Sequence, residues 1–441
     1  MKICFIPIDN RPVCYTLALD ISAIDKNIEF LIPPRSLLGS LTQEAQYDEI
    51  LKWLEKTPKC DAIILSLDTI AYGGLISSRR SNDSFEKIKL RINRLKEILK
   101  EKNAKIYAFS SIMRISNNNY NEEEKEYWSL YGKKIFEYSY SGGINKSDIP
   151  DYIIEDYLKT RKRNFEINKL YLEWQKEGLL DTLIFSKDDC AKKGFNVDEA
   201  NKLKELGAIV KTGADEIPLT LFARAIKKEV KIFIEFIEPE YKHLISNYED
   251  ISIEDSVLGQ LDLGGFKLSR TKAEADIILL INNFIEKQGE LVMGWDTKGY
   301  DKKLNIPEKN YAIADVRYAN GADNNFVDQL LPQINLANFY GYAGWNTSAN
   351  TLGSLLAMVK VKFNALNYDE NAFKKLQMIR FLDDWAYQAN VRKQIEKPCD
   401  ISNLMKNYEK LLLKTLNFNV FNLINYSYPW DRKFEIEVNI Q

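Results

Sequence analysis

The 441 residues exceed the roughly 250 to 300 at which a single hydrophobic core stops growing, so at least two lobes are expected. Sixty-one Lys and Arg against 63 Asp and Glu leave a formal net charge of -2, which supplies no broad positive field for nucleic acid or an anionic membrane. One histidine, His243, excludes HExxH and multi-histidine zinc sites, and five scattered cysteines without a CxxC spacing argue against a disulfide framework.

The first apolar run, Ile3 to Ile8, meets Asp9 and Arg11 too soon for a signal-peptide core. No run approaches the roughly 18 apolar residues of a membrane span, so a cytoplasmic protein is expected. Short β-branched runs recur at Ile28 to Ile32, Ala62 to Leu67, Lys105 to Ser110, Thr182 to Ser186, Ala208 to Lys211 and Lys231 to Phe236. Charged, helix-period segments such as Asp83 to Asn103 and Asn196 to Leu206 lie between them. The pattern is βαβ, which predicts an α/β fold with a mostly parallel sheet; seven units predict a barrel-like first lobe over 1–240. Runs at Asp276 to Ile281, Glu290 to Trp295, Tyr311 to Val316 and Leu336 to Tyr342 predict a second α/β lobe over 241–365. Residues 366–441 have helical texture, with amphipathic spacing over Phe373 to Asn390 and Leu404 to Leu416 and a final alternating strand from Phe434. The acidic patch Asn117 to Glu124 is expected to be an exposed loop.

Ligands of parallel α/β proteins bind beyond the carboxyl ends of the strands, and several strands here end in polar residues. The first ends in Asp9-Asn10-Arg11-Pro12, which suits either a site or a turn. After the third come Asp68, Tyr72, the pair Gly73-Gly74 and Arg79, offering an acceptor, a stacking face, close backbone approach and a forked donor. No phosphate-loop spacing is present. Arg114 follows the fourth strand, positioned to clamp a substrate carboxylate or to form a salt bridge with Asp68. The fifth ends in Asp188-Asp189 and the sixth in Asp215-Glu216; adjacent carboxylates push their proton affinities apart and leave an acid beside a base. Such pairs hydrolyse glycosides without histidine; helix capping is the alternative. In the second lobe Asp315, Asn320 and Asp323 follow one strand, and Trp345, Asn346 and Asn350 another. Trp345 offers a sugar a stacking face and the asparagines hydrogen bonds, or else Trp345 packs beneath a helix that Asn346 or Thr347 caps.

At these residues the sequence resembles a bacterial family known as domain of unknown function 4127. The likeness rests on Asp9-Asn10-Arg11-Pro12 and on Ser66 through Arg79. It continues through Asp188-Asp189, Gly213 to Glu216, Ala319 to Asp323, Gly344 to Thr347 with Asn350, Asp383-Asp384-Trp385, Tyr387-Gln388 and Pro429 to Arg432. Asn10 stands where that pattern has a second acidic residue. The resemblance spans nearly the whole chain and implies one coherent site without naming a reaction. A fainter likeness to hexosaminidases that use a substrate acetamido group as nucleophile implies Asp189 as proton donor and Asp188 as its orienting partner.

Three functions follow. The leading expectation is a glycosidase-like hydrolase of a small carbohydrate-like substrate, with Asp188, Asp189, Asp215 and Glu216 catalytic and no cofactor required. Its substrate contacts are Asp9, Arg11, Asp68, Tyr72, Arg79, Arg114, Asp315, Asn320, Asp323, Trp345, Asn346 and Asn350, in one cleft. The second is a Mg²⁺- or Mn²⁺-dependent hydrolase or lyase using Asp9, Asp68, Asp188 and Asp315 as oxygen ligands. The third is a non-catalytic binder of a sugar or peptidoglycan fragment.

Overall fold

A computed structural model describes residues 1–146, 148–188, 191–418 and 423–440. The chain divides into two compact units. The first comprises Met1–Tyr15, Glu29–Pro218 and Tyr248–Asp250; the second comprises Thr16–Ile28, Leu219–Asn247 and Ile251–Gln441.

The first unit carries six strands: β1 (Lys2–Ile6), β2 (Glu29–Leu31), β3 (Ala62–Ser66), β4 (Lys105–Ile112), β5 (Thr182–Lys187) and β6 (Ile209–Thr212). All pair in parallel, in the order β2-β1-β3-β4-β5-β6. A parallel sheet covered by helices is buried on both faces, which is why β3 and β4 read as continuous apolar runs. Ile63 and Leu65 face a core shared with Ile88, Ile92 and Leu95 of the helix Phe85–Glu101 and Tyr171 and Leu172 of the helix Asp151–Lys176. The strand order reverses between β1 and β3, and there the segment after β3 lies against the loop after β1, with Thr69 Oγ1 donating to the Pro7 carbonyl at 2.6 Å.

The second unit carries β7 (Lys231–Phe236), β8 (Lys267–Leu268), β9 (Ile277–Asn282), β10 (Gly289–Glu290), β11 (Tyr311–Asp315), β12 (Tyr318–Ala319), β13 (Phe339–Ala343), β14 (Ile424–Ser427) and β15 (Glu437–Ile440). Its main sheet is parallel, ordered β13-β11-β9-β7-β8, while β10 pairs with β12 and β14 with β15. The buried helix Ser348–Asn364 covers the main sheet. A continuous helical stretch follows, in which Glu370–Arg380 is α-helical and Phe381–Val391 is π-helical.

The α/β class and the predominance of parallel strands agree with the sequence reading. The barrel does not. The first sheet is open, and Lys231–Phe236, expected as its seventh strand, pairs instead with β8 and β9 in the second sheet. Its apolar pattern suits a buried strand in either sheet, and only pairing decides between them. The expected strand Glu290 to Trp295 is a tight turn whose ends pair through Glu290 and Trp295. Among the described residues no helix is long and apolar enough to cross a membrane.

Ile64 is wholly buried at the centre of β3. Ile64→Ala should cost about 2 to 5 kcal/mol through lost burial and the cavity left behind, read as a lowered midpoint in denaturant unfolding.

Candidate functional site

The site of the first unit begins at β1. After Ile6 the chain turns, and the backbone N–H of Arg11 donates to Asp9 Oδ1 at 3.0 Å, an Asx turn that folds the Arg11 side chain back over its own strand end. Arg11 Nε and Nη2 donate to Asp9 Oδ2 at 3.0 and 2.8 Å. The same guanidinium reaches Asp215 in the loop after β6, with Nη1 to Oδ2 at 3.0 Å and Nη2 to Oδ1 at 2.6 Å. Asp9, Arg11 and Asp215 are all buried. Arg11 therefore lies between two carboxylates and joins the ends of β1 and β6, which three strands of the sheet separate.

Glu216, next to Asp215, is completely buried. Burial first, then the charges of Asp215 and Glu249, push its carboxyl up to about 8, against backbone N–H groups that favour the ionised form. Gly213 is needed here: its φ is +111°, and a Cβ would lie 1.7 Å from Glu216 Oε1. Burial likewise raises Asp215, opposed by Arg11 and reinforced by Asp9 and Asp188.

Asp188, at the end of β5, keeps 20 % of its side chain exposed and accepts from Arg114 Nη1 at 3.3 Å. Its neighbour Asp189, the expected proton donor, lies outside the described residues. Arg114 donates to Glu123 Oε2 at 2.8 Å and Glu124 Oε1 at 3.1 Å, so it pairs with these and Asp188, while the bonds described at Asp68 come from Ser110 and Ser111. Arg79 pairs with the same glutamates at 3.4 and 3.6 Å, and Arg80 donates to carbonyls of Asn121 and Glu124 at 2.9 Å. The stretch ending in Glu124 is a largely exposed loop, as expected, but its end is gripped by three arginines and Glu124 is buried. A run of acids looks solvated in sequence; the arginines that pair with its carboxylates lie 9 to 45 residues away.

Asp68 is fully buried and is raised to about 6 by that burial, against bonds from Ser110 Oγ at 2.8 Å and the Ser111 N–H at 2.7 Å. Ser110 Oγ also stands 2.8 Å from Asn168 Oδ1. A hydroxyl has one proton, so when Ser110 donates to Asn168, Asp68 must carry the proton between itself and Ser110. Tyr72 is buried with the Arg163 guanidinium 5.3 Å from its ring centre, so the expected stacking face is already occupied.

The second unit repeats the principle with other residues. Asp315, ending β11, is buried and accepts from Asn282 Nδ2 at 2.8 Å, the Asp323 N–H at 2.9 Å and Tyr342 Oη at 3.1 Å. Burial and Asp323 raise its proton affinity. Asp323 caps the helix Asn324–Leu330, accepts from the Tyr300 N–H at 2.8 Å and pairs with Arg317 at 3.3 Å. Arg317, buried among Asn282, Glu238 and the Lys298 carbonyl, was not singled out from sequence. Asp384 accepts from the Gly344 N–H at 2.8 Å and Arg380 at 2.7 Å, and Asp383 accepts from Arg380 at 2.9 Å. The recurrent Asp383-Asp384-Trp385 motif was the available signal for this pair.

Thr347 caps the helix Ser348–Asn364 by accepting from the Asn350 N–H. Asn346 instead takes the left-handed conformation, φ +66°, and its carbonyl accepts from the Asn320 N–H at 2.9 Å. Asn320, also left-handed, donates from Nδ2 to Glu290 at 2.5 Å. Trp345 is buried, with its ring edge-on to Phe434 at 5.9 Å, the packing alternative of the sequence reading.

The family model described as "Protein of unknown function (DUF4127)" covers residues 3–439. The chain belongs to this family. No curated protein and no solved structure matches it. In this DUF4127 protein, metal-capable groups come together among the described residues as Asp9, Cys14 and Asp215, with ligand atoms within 4.8 Å of one another. That trio differs from the expected oxygen set of Asp9, Asp68, Asp188 and Asp315. The Arg11 guanidinium already bonds both carboxylates, so a divalent ion would have to displace it. Asp68 and Asp188 have their own partners, and Asp315 belongs to the second unit.

Arg11→Met should destabilise the chain by about 3 to 5 kcal/mol at neutral pH by leaving two buried carboxylates unpaired. The loss should shrink as pH falls and they protonate, which paired thermal melts of variant and parent at pH 5 and pH 7.5 would show. Glu216 gives the opposite sign. Its folded pKa of about 8 lies above the ordinary 4.5, so its contribution is full below about 4.5 and is lost as pH rises towards 8. Glu216→Gln should therefore flatten the fall in melting temperature between pH 5 and pH 8; an unchanged slope would show that Glu216 does not titrate in that window.

Proposed function

We propose that this protein is a hydrolase of a carbohydrate-like substrate, with a histidine-free carboxylate pair in the first unit. The observation that carries the reading is that Asp188 and Asp215 follow neighbouring strands, β5 and β6, and that each is braced by its own arginine. Burial, reinforced by Asp9 and opposed by Arg11, raises the proton affinity of Asp215 above the ordinary carboxylate range, while Asp188 keeps access to solvent. A protonated acid beside an ionised carboxylate is the equipment that glycoside hydrolysis requires: one group protonates the leaving oxygen, and the other activates water or attacks the anomeric carbon. Arg11 and Arg114 fix the two carboxyl groups so that little reorganisation is needed on reaction. A lone histidine in the charged run Glu238 to His243 leaves acid-base work to such groups.

Asp215→Asn keeps one of the two bonds from Arg11 through its carbonyl, sets its amide N–H2 against the other Arg11 donor, and cannot transfer a proton. Turnover of aryl glycosides or cell-wall oligosaccharides should fall by roughly 10²-fold or more. Full activity in this variant, at parental stability, would reject the pair as the catalytic centre.

A further inference from the structure

Among the buried polar side-chain atoms of the second unit that have no hydrogen-bond partner among the described residues are Asn320 Oδ1, Trp345 Nε1 and Asn350 Oδ1, which lie in one stretch of linked backbone. Their residues keep only 6, 4 and 7 % exposure. A buried polar atom without a partner costs about 1 to 3 kcal/mol, so three from one neighbourhood call for an occupant. The neighbourhood is defined by the backbone. The Asn320 N–H donates to the Asn346 carbonyl, Trp345 adjoins Asn346, and Thr351 Oγ1 donates to the Trp345 carbonyl at 3.0 Å.

The orientation of Asn320 is determined by its surroundings. Nδ2 is committed to Glu290, so the unpaired atom is the carbonyl oxygen. Gly321, at φ +151°, lets this turn press against the π-helical segment, where a Cβ would lie 3.0 Å from Gln388 Cβ. Gln388 in turn donates to the Phe434 carbonyl and accepts from Arg392, which holds the Phe434 segment in place. A π-helical stretch in such a position is a frequent companion of binding sites.

We infer that Asn320, Trp345 and Asn350 form a binding site in the second unit for a small neutral polyhydroxyl compound, of monosaccharide size or less. Two carbonyl oxygens require donors and the indole N–H requires an acceptor; a hydroxyl supplies both. An anion is disfavoured by the Glu290 carboxylate beside Asn320, and a cation by the Trp345 N–H. This inference stands apart from the hydrolase reading of the first unit, since it concerns binding and uses none of the catalytic carboxylates.

The test is calorimetric titration of the full chain with glucose, N-acetylglucosamine, glycerol and myo-inositol, with inorganic phosphate as the charged comparator. At least one neutral probe should bind saturably. Trp345→Phe, which keeps a ring and removes the N–H, and Asn350→Ala should each weaken it about tenfold, the effect of one lost neutral hydrogen bond. Asp215→Asn should bind as the parent does, so a failed hydrolase assignment would leave this result intact. The parent's tryptophan emission should shift on binding, and Trp345→Phe should lose that shift. The inference is overturned if no neutral probe binds, if both variants bind like the parent at parental melting temperature, or if phosphate alone binds. Any of these outcomes would leave ordered water as the partner of the three atoms.

Discussion

Two buried carboxylates at distant strand ends cannot share a low-dielectric edge unless a cation stands between them, and in the first unit that cation is Arg11. Its planar fork satisfies Asp9 on one side and Asp215 on the other with four side-chain hydrogen bonds. The arrangement ties the loop after β1 to the loop after β6. Asp188, Arg114, Glu123, Glu124 and Arg79 continue the alternation of sign. A buried ion pair contributes little net stability over apolar packing, so such a chain of charges is better explained by the positions it imposes than by energy.

The proton affinities follow from the same constraint. Where an arginine is at hand, as for Asp215, burial is partly offset. At Glu216 and Asp68 burial dominates and the carboxyl moves towards neutrality, with backbone N–H groups and, at Asp68, a hydroxyl opposing it. One edge of one sheet thereby holds carboxyl groups with different protonation behaviour in the same pH range, which is the condition for dividing acid and base roles among chemically identical side chains.

The second unit separates into a saturated part and an unsaturated part. Asp315, Asp323, Arg317 and Asn282 bond to one another and to the backbone, whereas Arg380 pairs with Asp383 and Asp384 but leaves its buried Nε without a partner among the described residues. Saturated networks of this kind rigidify an edge. Asn320, Trp345 and Asn350 sit beside them with polar capacity unspent. Rigid surroundings with a few unmet donors and acceptors describe a pre-organised binding site better than a core does.

The sequence by itself determined the class of fold, because a helix-covered parallel strand must be apolar on both faces and so shows as a short unbroken run; Ala62 to Leu67 and Thr182 to Ser186 match β3 and β5 to within a residue. It also marked most of the polar strand ends, since Asp9, Asp68, Asp215 and Asp315 interrupt apolar patterns where turns need less. Tertiary structure alone decided which sheet Lys231–Phe236 joins, because pairing partners leave no trace in a strand's own periodicity. It alone decided that Arg114 meets Glu123 and Glu124, and that Arg11 joins Asp215 across 204 residues of chain. Local pattern records burial, which each residue meets alone, whereas charge pairing depends on which loops converge, and convergence is a property of the folded chain.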